Sequence, residues 1–282
     1  MSTRDILQPI ELDRSTGASF SWRLRHLRLE TAHVALLYLA AIGLAEFITA
    51  LIDPTLGVIC HIFILVNLLI QASINRAWWE RGFFLSLSIA PVIRIVSLGM
   101  PLGSFPQEWW YLLSAIPLYA TCWMVIRTVP LTRREIGIQL PERRHWLLTV
   151  VVGISGIPLG LTEYLILKPD PIVSTFAFGG VAAASMILLV GTGIIEELIF
   201  RGILQATTSE IFGTWPAILY VSVLFGELHT GHMSLVDVFF VIGVALYFAA
   251  VVRKTRTLIG VSIAHGLTNI FLFVIFPLLH IL

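Results

Sequence analysis

Charge is what this chain has least of. Charged residues make up 12% of its 282 residues, hydrophobic residues 57%, and the mean hydropathy is +0.90. A soluble globular protein carries about 25% charged residues, so the composition excludes one and implies a polytopic membrane protein with a single transmembrane domain. Cysteine is also scarce. Cys60 and Cys122 each lie in an apolar segment, which excludes a disulfide framework and a thiolate metal site. The formal net charge is +1 and no Lys/Arg run is long enough to track a phosphate backbone, so no nucleic acid partner is expected. The first 30 residues lack the apolar core and small-residue cleavage site of a signal peptide, and the first apolar segment is expected to direct insertion. The G-x-x-x-x-G-K-[ST] loop of an ATP-driven machine, the H-E-x-x-H of soluble zinc proteases and a serine in a nucleophile context are all missing.

Long apolar runs are there in number. Residues 1–30 form a cytoplasmic tail with five arginines, its end reading either as an amphipathic surface helix or as a disordered basic tail. Nine apolar segments follow: Thr31 to Leu51, Thr55 to Ile74, Phe83 to Leu102, Trp109 to Val129, Trp146 to Leu167, Phe176 to Phe200, Trp215 to His229, Leu235 to Val252 and Leu258 to Leu279. About 20 residues cross a bilayer core of ~30 Å, so the seventh is too short to span it untilted. With the N-terminus inside, the tail arginines, Arg76, Arg81, Arg127, Arg133, Arg134, Arg143, Arg144, Arg253, Lys254 and Arg256 all fall on the interior side. Lys168 is the one basic residue of an exterior loop, a strong positive-inside asymmetry that puts the C-terminus outside. Trp78-Trp79 and Trp109-Trp110 read as interface anchors, and Pro91, Pro117 and Pro158 fall inside spans as candidate kinks.

Against this background the sequence G-I-I-E-E-L-I-F-R, Gly193 to Arg201, is expensive. A charge near the membrane centre costs roughly 3 kcal/mol on insertion scales, which makes each one a functional candidate. Glu197 and Arg201 are four apart with the acid N-terminal, the favourable order for an intrahelical pair. Glu196 points about 100° away and has no such partner on its own helix. The seventh segment supplies Phe225, Glu227 and His229, with His232 just beyond; the ninth supplies His265 and Asn269, four apart on one face. Glu196 lies 17 residues before Gly213 and His229 lies 16 after it. If both arms are α-helical, carboxylate and imidazole reach a similar height and can face each other. A glutamate facing an imidazole can deprotonate water, and a second imidazole with an amide can stabilise an oxyanion. Alternatively Glu196, His229 and His265 hold Zn²⁺, two His and one Glu being a known catalytic set. Glu46, His61, Arg94 and Glu163 have no companion at meaningful spacing and read as buried polar contacts or cavity lining.

At these residues the chain resembles a known family. I-E-E-L-I-F-R, F-G-E-L-H and H-G-L-T-N are similar to the E-E-x-x-x-R, F-x-x-x-H and H-x-x-x-N motifs of the CPBP intramembrane proteases, which include the type II CAAX prenyl endopeptidases. The similarity covers about Met186 to Phe273. It implies an all-α polytopic membrane protein of about eight or nine transmembrane helices, with a conical intramembrane active-site cavity and a catalytic core at about residues 176–279. By resemblance Glu196 with His229 activates water, His265 and Asn269 stabilise the oxyanion, and Glu197, Arg201 and Phe225 support the site.

The implied activity is endopeptidase cleavage of a membrane-associated or lipidated protein or peptide, in a multi-pass protein of a prokaryotic cell membrane. The glutamate mechanism requires no cofactor; the zinc-dependent version uses Zn²⁺ on Glu196, His229 and His265. The competing readings are a non-catalytic scaffold or bacteriocin-immunity protein of the same family and, more weakly, a proton-coupled transporter.

Overall fold

The computed structural model describes residues 17–75 and 77–279, with side chains from residue 29 onward. Residues 1–16 and the side chains of 17–28, on which the amphipathic reading of the tail depends, lie outside the described residues, as does Arg76. Among the described residues nine helices carry the fold: α1 (Gly17–Leu51), α2 (Pro54–Ile74), α3 (Trp78–Gly99), α4 (Gln107–Thr128), α5 (Trp146–Leu167), α6 (Phe178–Phe212), α7 (Thr214–Glu227), α8 (Leu235–Thr255) and α9 (Ile259–Leu278). All but α7 are long and apolar enough to cross a membrane. The described residues contain no strand.

These helices turn much of their apolar surface outward. Leu37 of α1, Leu147 of α5 and Phe239 of α8 are each at least 70% exposed. In water that would be ruinous, whereas hydrocarbon is the solvent such side chains need. The protein is therefore an all-α polytopic membrane protein, as the composition requires.

Local chemistry sets the ends and breaks. Asp53 accepts from the Leu56 N–H and Pro54 occupies the first turn, together starting α2. In α3 a one-residue interruption falls at Ser88, three residues before Pro91, whose ring removes the bond that the Leu87 carbonyl would have received. Pro117 and Pro158 lie inside uninterrupted helices, so the break accompanies Pro91 alone among the three.

Two departures from the expected spans matter for the site. The sixth segment does not stop at Phe200; its helix runs to Phe212, where Gly213 at φ +75° turns the chain. Nor is α6 uniformly α-helical. Leu189–Ile194 and Leu198–Leu204 are π-helical, bracketing a single α-turn, Ile195–Glu197. A third π segment, Phe271–Ile275, follows Asn269 in α9. π-turns are rare and concentrate at functional sites. Their wider turns also spoil any height reckoned at ~1.5 Å per residue.

Candidate active site

The site exists because glycines let α9 lie against the backbones of two neighbours. Gly153, Gly156 and Gly160 form one face of α5 at spacings of three and four. A Cβ on Gly156 would collide with the Ala264 carbonyl, and one on Gly160 would come 2.7 Å from the Thr268 oxygen. In return, a Cβ on Gly260 would sit 2.9 Å from the Thr149 oxygen. On the other side, a Cβ on Gly193 of α6 would be 2.7 Å from the Gly266 nitrogen. Such small-residue seams are how membrane helices gain close packing where lipid removes the hydrophobic drive. With α9 seated in this seam, His265 meets the carboxylates of α6.

Glu197 and Arg201 form the expected i,i+4 pair, Nη1 to Oε1 at 2.9 Å, with both side chains at most 1% exposed. The pair is not closed on itself. The same Oε1 lies 2.8 Å from His265 Nδ1, so Glu197 bridges α6 to α9. An ionised carboxylate only accepts, so Nδ1 carries the hydrogen and Nε2 is left to other partners. Its nearest acidic neighbour is Glu196, with Oε2 at 3.7 Å. Glu196 is also the accessible member of the array, its side chain 26% exposed against 0% for Glu197.

His229 lies in the turn just after α7, with its Nδ1 2.7 Å from the Phe225 carbonyl. A carbonyl cannot donate, so here too Nδ1 is the donor and Nε2 remains for chemistry. Phe225 stands between the elements: its ring centroid is 4.6 Å from that of His229 and 6.0 Å from that of His265, and the Arg201 guanidinium lies 4.4 Å from it. Asn269 donates from Nδ2 to Thr192 Oγ1 at 2.8 Å, and Thr192 passes its own hydrogen to the Leu188 carbonyl. One N–H of the Asn269 amide therefore remains for another acceptor.

His229, His265, Asn269, Phe225 and Glu163 line one void of about 30 Å³, closed on its far side by Phe240, Val244 and Phe248 of α8. That is room for a water. The conical cavity expected from the family is, at these residues, this narrow. Glu196 is not on its wall. Nor does any hydrogen bond or ion pair join Glu196 to His229, and the partner of Glu196 across the helices is His265. The equal-height reckoning assumed two α-helical arms, and Leu198–Leu204 of the arm carrying Glu196 is π-helical.

Zn²⁺ on Glu196, His229 and His265 would need three converging donors. Among the described residues the group whose donor atoms all lie within 4.8 Å of one another is a different one, Glu163, His232 and Asp237.

Other polar residues that sequence left unpaired have partners. Arg94 grips Glu46 with Nε at 2.9 Å and Nη2 at 2.5 Å, and Nη2 also donates to the Leu228 carbonyl at 2.8 Å, one residue before His229. His61 Nε2 lies 3.2 Å from Glu46 without hydrogen-bond alignment. The separation of 48 positions between Glu46 and Arg94 hid this from spacing arguments. Glu227 turns away from the site toward Gly43 of α1. Asp237 was missed outright. Its signal was the S-L-V-D capping box, in which Ser234 accepts from the Asp237 N–H. The Asp237 side chain instead holds His232 Nδ1 at 2.8 Å, which raises the His232 pKa against the opposing effect of partial burial.

Fold and polar array together define a membrane-embedded site in which two carboxylates, two imidazoles, an amide and a guanidinium are gathered by α6, α7 and α9. Residues 178–271, about one third of the chain, match the family model described as type II CAAX prenyl endopeptidase Rce1-like, the family that the three motifs resemble. At the family level this supports a CAAX-type intramembrane protease. No curated protein and no solved structure matches the chain.

Proposed function

We propose that the chain is an intramembrane endopeptidase that hydrolyses a peptide bond in a membrane-associated or lipidated protein or peptide. The observation that carries this reading is the array Glu196, His265, Glu197 and Arg201 in apolar helices. Two carboxylates face one guanidinium, leaving a formal charge of −1 that a single mobile proton can balance. An inert helix would not keep such a group, because each buried charge is costly and its imperfect compensation more so.

Glu196 takes a proton from water, and the oxygen attacks the scissile carbonyl carbon. The developing oxyanion accepts from the spare N–H of Asn269 and, with a proton on its Nε2, from His265. His229 Nε2 orients the attacking water by accepting its second hydrogen. Collapse breaks the C–N bond while Glu196 returns its proton to the leaving nitrogen, giving a carboxylic acid and an amine. Glu197 and Arg201 position His265 without touching substrate.

The test uses purified full-length protein in detergent and in vesicles, with membrane-anchored peptides that end in prenylated and unprenylated tails. Cleavage is expected, with Glu196→Gln losing ~10²–10⁴-fold while eluting as wild type does. Undiminished cleavage by Glu196→Gln sinks the base assignment. Absence of turnover across the library favours a non-catalytic scaffold or immunity protein, and cleavage lost to a chelator and restored by Zn²⁺ favours the zinc version.

A further inference from the structure

The group left over from this mechanism lies where α5, the turn after α7 and the start of α8 meet. Glu163, His232 and Asp237 each point one potential ligand atom into a common space, all within 4.8 Å of one another. Glu163 is 6% exposed and Asp237 0%. Their electrostatics are not closed by the protein itself. Asp237 spends Oδ2 on His232, while its Oδ1 is buried without a partner. Glu163 makes no hydrogen bond and no ion pair among the described residues. Even with His232 protonated, two ionised carboxylates would face one cation. Leaving a carboxylate buried and unmatched costs several kcal/mol, and the helix cap does not need Asp237, because Ser234 serves it.

We propose that Glu163, His232 and Asp237 form a binding site for a divalent transition-metal cation of the Zn²⁺ class, separate from the hydrolytic residues. One imidazole with two carboxylates is the donor set that argues the identity. Ca²⁺ and Mg²⁺ favour all-oxygen shells, whereas Zn²⁺ takes mixed nitrogen and oxygen ligands. Access is supplied by His232, whose side chain is 36% exposed. The two carboxylates neutralise a divalent charge, and the site would fasten the turn that follows His229 to α5. Glu163 also borders the small void shared by His229, His265 and Asn269, so a cation here would stiffen one of its walls.

Metal content is the direct readout. Full-length protein, stripped with chelator in detergent, is loaded with Zn²⁺, desalted, and its bound zinc measured by mass spectrometry; Co²⁺ loading gives an independent visible spectrum. About one zinc per chain is expected in wild type and in Glu196→Gln, falling to background in His232→Ala and in Asp237→Asn. His232 lies in a partly exposed turn, so its variant keeps the test decisive if Asp237→Asn fails to fold. Zinc near zero in loaded wild type overturns the proposal. So does zinc that survives both substitutions, and so does loss of zinc in Glu196→Gln, which would move the ion to the hydrolytic residues.

Discussion

A single oxygen, Glu197 Oε1, carries most of the connection between the helices of the site. It accepts from Arg201 and from His265 at 2.9 and 2.8 Å while its twin Oε2 is buried with no partner. Removing the negative charge therefore strands Arg201 in an apolar helix and loosens His265 together. Breaking one partner from a buried pair typically costs about 3–5 kcal/mol. For Glu197→Gln a lower apparent melting temperature in detergent and a loss of turnover are expected in parallel. Leu substituted at both Glu197 and Arg201 should recover much of the stability and none of the turnover, because neither member of that pair is then left without the other. If the double variant is as unstable as the single, the pair matters for packing rather than for charge. The same residues mark what sequence could foresee. The four-residue spacing gave the Glu197–Arg201 pair from local geometry alone, but the third member of the bridge, His265, is 68 residues from Glu197. No helical period reaches across such a distance.

At the scale of the helix, apolar length recovered the elements and missed their interiors. All nine apolar segments correspond to helices, and the short seventh became α7, the one not long enough to count as a candidate span. Its 14 residues rise about 21 Å against a core of ~30 Å. The turn after it is thus held at depth, where Arg94 supplies a donor to the Leu228 carbonyl. The polar stretch Gln205 to Glu210 concealed that α6 continues to Phe212, because hydropathy reports immersion rather than helicity. The π segments had no signature in composition, and the glycine seam had one that was passed over: Gly153, Gly156 and Gly160 share a face. That seam predicts its own energetics. Gly156→Ala forces a methyl into the Ala264 backbone and should cost about 1–3 kcal/mol. Gly179→Ala, with nothing within 4 Å, should be neutral or better. Thermal unfolding of the two variants side by side checks this, and equal melting temperatures would mean that α5 and α9 can separate without loss.

For the whole molecule, the distribution of arginines makes an argument about sidedness that the fold can be held to. Arg134, in the loop after α4, and Arg253 and Arg256, at the end of α8, line one cavity of about 650 Å³ beside Trp78 and Trp79. These three arginines, all assigned to the interior by the positive-inside asymmetry, thus gather at one end of the bundle, with a tryptophan pair of the kind that anchors an interface. Lys168, in left-handed backbone at φ 46° after α5, belongs to a loop on the opposite side by the alternation of the spans. With Cys60 and Cys122 replaced by serine or alanine, a cysteine at Glu135 should be shielded from a membrane-impermeant thiol reagent in intact cells. One at Asp170 should be labelled, and permeabilisation should make both reactive. The reverse pattern would invert the molecule, setting the small void, the Glu196 carboxylate and the entry of substrate on the other face. Labelling of both sites in intact cells would mean instead that the positive charges do not fix one orientation. The result also bears on the number of crossings: eight spans put the two ends of the chain on the same side, and nine put them on opposite sides. A third cysteine at Leu279, the last described residue, separates these cases, since protection shared with Glu135 requires the eight-span count and labelling shared with Asp170 requires that the α6–α7–α8 run crosses three times.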